Sequence, residues 1–276
     1  MEELKAKEKR LEDILKDMGS AAVAFSAGVD STLLVYTAKK VLGDKMIAVT
    51  VDAPSFPRRE LEQAQELCKS FGIKHIVCEL DQLSIVGFKE NPPDRCYHCK
   101  KGTFAAIAKV AAENGISYIA EGSNLDDMSD YRPGLRAVAE LDIKSPLKEA
   151  GLTKEDIRAL SKEAGLPTWD KPSFACLASR IPYGSAITRD TLEMIDLAEE
   201  KLSALGFKQY RVRVHGDIAR IETKQEDFPL ILEPSVREEI NSYFSQLGFK
   251  YTALDLGGYK TGNMNRQLKI GREEKL

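Results

Sequence analysis

The chain has 276 residues, of which 43% are hydrophobic and 30% are charged. This length can bury an α/β core and leave residues for a second, smaller domain. The formal net charge of -3 gives no overall positive field for nucleic acid and therefore favours a small-molecule substrate. No apolar run is long enough to cross a bilayer, and the chain opens with a charged helix rather than a signal peptide. We therefore predict a cytoplasmic protein without a membrane partner.

The first half of the chain alternates strand-like and helical patterns. Apolar spacing predicts a helix at 2–18, and strands at 21–25, 46–51, 75–80 and 118–120 alternate with helices near 31–42, 58–71 and 100–113. This βαβ alternation predicts the α/β class, with a parallel, doubly wound sheet. Because the carboxyl ends of parallel strands meet at one edge, the four strand exits should face one cleft.

The second half of the chain predicts a small α+β domain. Thr153 caps a helix that ends near Gly165, and an irregular stretch covers 167–184. An α-β-β-α-β unit follows, with helices at 188–205 and 234–246 and strands at 210–214, 218–222 and 251–256. The sequence therefore predicts two domains, 1–184 and 185–276. We expect the second domain to bind a phosphate group of the substrate or to support oligomerisation.

A serine-rich loop follows the first strand, and it reads Ser26-Ala27-Gly28-Val29-Asp30-Ser31. Free backbone amides and the dipole at a helix start favour an anion, and phosphate suits such a loop. The Walker A pattern is absent, and the loop resembles Ser-Gly-Gly-x-Asp-Ser, the signature of the PP-loop ATP pyrophosphatases, whose fold is adenine nucleotide alpha hydrolase-like. The plain alternative is a serine that caps a helix. Ala27 stands at a consensus glycine, which matters only if that position requires a positive φ angle.

Two further segments support ATP binding. Glu121-Gly122-Ser123-Asn124-x-x-Asp127 resembles the Gly-Thr/Ser-Asn-x-x-Asp segment of the same superfamily, and Asp52 ends the second strand. The predicted ATP ligands are Ser26, Gly28, Asp30, Ser31, Asp52, Glu121, Asn124 and Asp127. Mg²⁺ would neutralise the phosphates, with Asp30, Glu121 and Asp127 all open as its ligand.

The five cysteines argue for reduced thiols, because the chain shows no export signal and their number is odd. Cys96 and Cys99 form a C-x-x-C pair before a helix, and no second pair completes a zinc site. With Cys176 they could hold a cubane iron–sulfur cluster with one open iron that binds sulfide. The alternative makes all three incidental or buried thiols, the role that we assign to Cys68 and Cys78.

The whole chain resembles the ATP-dependent sulfur transferases that make the nickel-pincer nucleotide cofactor of lactate racemase. The resemblance rests on the Ser-Phe-Ala-Cys-Leu-Ala-Ser-Arg segment that ends at Arg180, on Tyr131-Arg132-Pro133-Gly134-x-Arg136, and on the small C-terminal domain. It implies adenylation of a carboxylate of pyridinium-3,5-biscarboxylic acid mononucleotide, then sulfur transfer from Cys176. Cys96 and Cys99 mark the branch in which the three thiols bind a four-iron four-sulfur cluster. The resemblance also implies a homohexamer.

Arginines are candidates for holding this phosphate-bearing dicarboxylate, because guanidinium groups bind oxyanions in a bidentate manner. The candidates are Arg132, Arg136, Arg180, Arg211 and Arg213. Arg211 and Arg213 alternate on one strand, which suits an anion pocket. Arg180 would also favour a thiolate at Cys176.

Three rival functions remain open at this level. A tRNA thiolase also combines a PP-loop with C-x-x-C and a distant cysteine, although the charge balance makes a nucleic-acid substrate less favoured. An ammonia-dependent amide synthetase and a non-catalytic nucleotide-binding module are the other two.

Overall fold

The computed structural model describes residues 2–129, 133–260 and 262–264, which form two compact units. The first unit comprises the chain up to Ile85 together with Asp94–Phe174. Its strands are β1 (Ala21–Ala24), β2 (Met46–Asp52), β3 (His75–Glu79) and β4 (Ile119–Ala120). Its helices are α1 (Glu2–Met18), α2 (Val29–Leu42), α3 (Arg58–Ser70), α4 (Arg95–Glu113), α5 (Gly134–Glu140), α6 (Pro146–Glu149) and α7 (Lys154–Glu163).

The four strands form one parallel sheet in the order β3-β2-β1-β4. The chain moves outward from β1 to β3 and then returns to the other side of β1, so the strand order reverses between β1 and β4. Ligands of open α/β sheets bind at such a reversal, beyond the carboxyl ends of the strands. The predicted doubly wound parallel sheet is confirmed.

Helices cover both faces of this sheet. Val23 of β1 belongs to a core that includes Leu15 and Leu34 from the helices on one face. Its neighbour Ala22 belongs to a second core, which includes Phe104 of α4 and Val138 of α5. Successive strand residues point to opposite faces, so the short apolar β1 serves both cores.

Helix α4 begins earlier than its sequence pattern indicated. We expected the helix to start near residue 100 and the C-x-x-C pair to precede it, but α4 starts at Arg95. Cys96 and Cys99 therefore lie one turn apart on the helix itself, because residues three apart share a helix face. His98 lies beside the Asp94 carboxylate, at 3.4 Å.

The second unit comprises Val86–Pro93 and the chain from Ala175 onward. It contains α8 (Arg189–Ala204), β5 (Tyr210–His215), β6 (Ile218–Thr223), α9 (Phe228–Leu232), α10 (Pro234–Gln246) and β7 (Tyr251–Leu254). The sheet order is β5-β6-β7, with β5 antiparallel and β7 parallel to β6. The predicted α+β character of this region is confirmed, and the short helix α9 is additional.

The buried Asn91 explains why 86–93 belongs to the second unit. Its side-chain amide donates to the carbonyls of Ile181, Pro182 and Ser185 at 2.8–3.3 Å, and its own carbonyl accepts from Gly184. The boundary between the units lies at 174/175, whereas the sequence pattern suggests 184/185. No helix in the described residues is both long and apolar enough to cross a membrane.

Candidate active site

The 26–31 loop connects β1 to α2 in a tight turn. Ala27 is fully buried with a φ angle of +54°, and Gly28 is extended and caps α2. The Ser31 hydroxyl accepts from the Ser26 backbone N–H and donates to the Gly28 carbonyl, at 3.3 and 3.2 Å. The consensus glycine position thus does require a left-handed residue, and Ala27 occupies it at a steric cost of about 1–2 kcal/mol.

The start of α2 presents free donors. Within the described part of the chain, the backbone N–H groups of Gly28, Val29, Asp30 and Ser31 donate to no protein acceptor; the first donation is from Thr32 to the Gly28 carbonyl. Unpaired amides at the positive end of a helix dipole bind phosphate well. The loop can therefore hold a polyphosphate.

Asp30 lies at the centre of a polar network. The Asn124 amide donates to Asp30 Oδ1 at 3.1 Å, and the Lys154 ammonium donates to Asp30 Oδ2. Gly122 allows the two segments to approach, because a Cβ atom there would lie 3.2 Å from the Ser31 backbone nitrogen. The structure thus brings the 26–31 loop and the segment after β4 together.

The other predicted acids near this loop are already bonded. Glu121 is buried and accepts from the Ser145 hydroxyl and the Ser123 backbone N–H, at 2.8 and 3.1 Å. Asp127 accepts from the Asn124 backbone N–H at 3.0 Å. Asp30 is the most exposed of the three, since about a fifth of its side chain reaches solvent.

Asp52 ends β2 and is held by a neighbouring arginine. Arg58 Nη1 donates to both oxygens of the Asp52 carboxylate, at 3.0 and 2.9 Å. The Arg58 side chain is mostly exposed, so its guanidinium can also reach a ligand at the strand exit.

Two lysines of this site were missed in the sequence. Lys154 contacts Asp30, and Lys171 donates to the Ala27 carbonyl at 3.0 Å. The sequence could have indicated an anion beside Lys154, because a lysine in the first turn of α7 faces the positive end of the helix dipole and needs a local anion. Nothing in the sequence indicates a contact for Lys171, since it lies in the irregular stretch before Phe174.

The C-x-x-C thiols are half-buried at the start of α4. Gln82 is buried between two partners: its Nε2 donates to Cys99 Sγ at 2.8 Å, and its Oε1 accepts from the Ser55 backbone N–H. The Cys99 sulfur therefore accepts a hydrogen bond from a buried side-chain donor. Gln82 was also missed, because nothing in its local sequence marks it.

Cys176 belongs to the second unit and precedes a 3₁₀ turn, Leu177–Arg180. Arg180 is fully buried and fixes this turn: its Nη1 donates to the carbonyls of Ala175 and Cys176, and its Nε and Nη2 bind the Glu199 carboxylate. Burial opposes the charge of Arg180, but Glu199 outweighs it and raises the pKa of Arg180. These contacts favour a positioning role for Arg180 over the substrate contact expected from the sequence.

Arg211 and Arg213 are both buried on β5. Arg213 donates to the Ser179 carbonyl and to Glu222, while its Nε has no partner among the described residues. Burial, together with the charge of Arg180, lowers the pKa of Arg211 to about 10. The nearby His215 Nε2 is also buried without a described partner. Unpaired donors beside buried guanidinium groups suit an anionic ligand.

Of the two remaining candidate arginines, only Arg136 belongs to the described residues, and it lies on α5 of the first unit. Arg136 stacks on the Tyr97 ring at 3.6 Å and lies 3.4 Å from Glu140. Arg132 lies outside the described residues.

No three histidine, cysteine, aspartate or glutamate side chains of the described ranges converge on a metal site.

The parallel sheet, the amide-lined loop at its strand reversal and the Asn124–Asp30 contact are features of the PP-loop class of ATP-utilising enzymes. Residues 20–92 match the family model described as Queuosine biosynthesis protein QueC. The chain is also similar, over 160 residues at 32% identity, to argininosuccinate synthase of Haloarcula marismortui, covering 54% of this chain and 38% of that enzyme.

Two relatives match nearly the whole chain. It is 39% identical over 272 residues to the pyridinium-3,5-bisthiocarboxylic acid mononucleotide synthase of Lactiplantibacillus plantarum, with 97% of each protein covered. It is 38% identical over 265 residues to an uncharacterised protein of Synechocystis sp., covering 96% of this chain and 99% of that protein. The chain belongs to this family of ATP-dependent sulfur transferases of the PP-loop superfamily.

Proposed function

We propose that this enzyme adenylates a carboxylate of pyridinium-3,5-biscarboxylic acid mononucleotide and then replaces one of its oxygens by sulfur. The product is a thiocarboxylate for the nickel-pincer cofactor. The observation that carries the proposal is the 26–31 loop, whose unpaired amides lie beside the Asp30–Asn124–Lys154 network. The substrate class comes from the relative that is named for the bisthiocarboxylic product.

The first step makes a poor electrophile reactive. A carboxylate oxygen attacks the α-phosphorus of ATP, the bond between the α-phosphorus and the bridging oxygen breaks, and pyrophosphate leaves with that oxygen. The resulting acyl-AMP carries a good leaving group. Pyrophosphate formation places negative charge where the Gly28, Val29, Asp30 and Ser31 N–H groups point, and such preorganised donors stabilise it.

The predicted ATP ligands have distinct roles in this step. Ser26, Gly28 and Ser31 shape the loop, and Asp52, held by Arg58, lies at the exit of β2 where the nucleoside would bind. Mg²⁺ would bind through Asp30, the most exposed acid, and neutralise phosphate charge. Glu121, Asn124 and Asp127 keep the neighbouring segment in place.

In the second step sulfur attacks the acyl carbon and AMP leaves with the bridging oxygen. Cys176 is the proposed delivery site, and its backbone is fixed by Arg180. We assign an iron–sulfur cluster to Cys96, Cys99 and Cys176 from the resemblance; all three are half-buried and in no disulfide, and thiolates are the usual ligands of such clusters. A four-iron four-sulfur cluster on these three thiolates would supply sulfide as the nucleophile.

The arginines of the second unit support binding of a substrate with several negative charges. Buried guanidinium groups of Arg180, Arg211 and Arg213 outnumber the buried carboxylates of Glu199 and Glu222. An added phosphate would balance this charge and pair the Arg213 Nε group. We assign Arg211 and Arg213 to the substrate phosphate, and keep Arg132 and Arg136 as further candidates.

Exposed apolar side chains in the second unit support a homo-oligomer, which the resemblance makes a hexamer. Leu232, Tyr251 and Leu256 are 56%, 67% and 81% exposed. Light scattering on the purified protein tests this assembly, and a monomer at all concentrations would contradict it.

The decisive experiment uses protein purified without oxygen, with MgATP, the pyridinium dicarboxylate nucleotide and sulfide. We expect AMP, pyrophosphate and thiocarboxylate over several turnovers, an iron–sulfur chromophore, and an unchanged mass of Cys176. A single turnover, with Cys176 lighter by the elements of hydrogen sulfide, would instead make the cysteine itself the sulfur donor.

A variant separates the two steps. Cys176→Ala should abolish thiocarboxylate formation and keep pyrophosphate release, whereas loss of both would make Cys176 structural. Pyrophosphate release only with ammonia would indicate an amide synthetase, release only with tRNA a thiolase, and no release at all a nucleotide-binding module.

A further inference from the structure

The Lys171 ammonium group is held by three acceptors in the first unit. It donates to the Ala27 carbonyl at 3.0 Å, to Glu60 Oε2 at 2.7 Å and to Gln63 Oε1. Only 13% of its side chain is exposed. Burial lowers the pKa of Lys171, although the Glu60 carboxylate counteracts part of that effect.

These three acceptors use every donor that a lysine has, since an ammonium group carries three hydrogens. Lys171 therefore has none left for a phosphate oxygen. It differs in this respect from a lysine that touches ATP directly, and any effect on the reaction must act through its protein partners.

The partner that matters is the Ala27 carbonyl. The described peptide bonds are all trans, and in a planar trans peptide the C=O and the next N–H point in opposite directions. Holding the Ala27 oxygen toward Lys171 therefore turns the Gly28 N–H the other way. That N–H has no acceptor in the described structure and belongs to the free donors at the start of α2.

The loop needs such a restraint because Ala27 has a φ angle of +54°, which an alanine adopts only when its surroundings impose it. Lys171 is itself placed by Arg158, which donates to the carbonyls of Trp169 and Lys171 at 2.7 and 2.8 Å. The irregular stretch around Lys171 is thus anchored on α7.

We propose that Lys171 is a positioning residue of the ATP-cleavage site, which fixes the Ala27–Gly28 peptide so that the Gly28 N–H points at the bound phosphates. This rests on the proposed function, since it assigns the 26–31 loop to ATP. The competing explanation is a buried Lys171–Glu60 ion pair that only stabilises the fold.

The test compares Lys171→Met with the double variant Lys171→Met/Glu60→Gln. The single variant leaves a buried carboxylate without its cation, which can prevent folding, whereas the double variant removes both charges. Lys162→Met is the matched control, because Lys162 lies over the Trp169 ring on the same part of the molecule and does not touch the loop. MgATP affinity is measured by calorimetry, and pyrophosphate release by a coupled assay.

We expect the double variant to be folded and to bind MgATP about 10- to 100-fold more weakly, the loss that corresponds to one hydrogen bond to a charged group. Lys162→Met should stay within about twofold of the parent protein. Wild-type affinity in the double variant would overturn the proposal and leave a structural ion pair. If the parent protein binds MgATP but releases no pyrophosphate, the proposed function fails. The role of Lys171 is then still tested by comparing the MgATP affinity of the double variant with that of the parent.

Discussion

The Asn124 side-chain amide donates a 3.1 Å hydrogen bond to the Asp30 carboxylate and so joins the segment after β4 to the first turn of α2. Asn124 is almost fully buried, and Lys154 binds the other carboxylate oxygen. The carboxylate is therefore oriented from two sides, which restricts where a metal or phosphate can meet it.

Removing either partner should slow ATP cleavage. A hydrogen bond to a charged group contributes about 1.5–3 kcal/mol, so Asn124→Leu and Lys154→Met should each lower kcat/KM for pyrophosphate release by about tenfold or more. Lys40→Met is the control, because it removes only an exposed ion pair with Glu12. Unchanged kinetics in both site variants would show that neither hydrogen bond is needed to orient the Asp30 carboxylate.

Gly122→Ala should displace the start of α2. The new Cβ would lie 3.2 Å from the Ser31 nitrogen and 3.4 Å from its Cα, and backbone atoms cannot move away cheaply. We expect a loss of about 1–3 kcal/mol in unfolding free energy and reduced pyrophosphate release. Gly257→Ala is the matched control, since its Cβ would meet only the Asp255 side chain. Full activity in Gly122→Ala would argue that the close approach is irrelevant.

Ala27→Gly should be nearly neutral in stability. Glycine relieves about 1–2 kcal/mol of left-handed strain, but it loses about 0.8 kcal/mol of methyl burial and about 0.5–1 kcal/mol of chain entropy. Ala27→Val should cost more than about 2 kcal/mol, because a branched side chain disfavours a φ of +54° and Ala27 has no exposed surface. Urea unfolding measures both, and a valine variant as stable as the parent would mean that the loop relaxes to another conformation.

Stability should fall as the pH drops below about 6.5, because two histidines resist protonation in the fold. Burial lowers the pKa of His75 from its ordinary value of 6.5, and burial with the charges of Arg220 and Arg213 does the same for His215. The unfolded chain takes up these protons first, so the stability present above the unfolded pKa is lost as pH falls through the folded pKa.

His75→Gln should flatten this pH dependence by up to about 1.4 kcal/mol per pH unit. Unfolding free energies at neutral and mildly acidic pH measure it, with His98→Gln on the surface of α4 as the comparison. The same change of unfolding free energy with pH in His75→Gln and in the parent would refute the role of His75.

The order of strands and helices along the chain and the spacing of apolar residues predicted the sheet of the first unit. The strands β1, β2 and β3 have strong local patterns, and their parallel pairing follows from the helices between them. The start of α4 was misplaced because the polar run around Cys96 lacks an apolar stripe. The sequence pattern did not assign 86–93 to the second unit, because that assignment depends on Asn91, which is bonded to residues 90 to 94 positions away.

The 26–31 loop and the segment around Asn124 could be recognised from the sequence, because both are contiguous motifs of neighbouring residues. Which side chains support that loop could not be recognised, because it depends on contacts between distant parts of the chain. Lys171 meets Ala27 across 144 positions and Lys154 meets Asp30 across 124, and no local pattern encodes such pairs. The φ angle of Ala27 was decided in the same way, because only the contacts around the loop can hold an alanine in a conformation that it disfavours by itself.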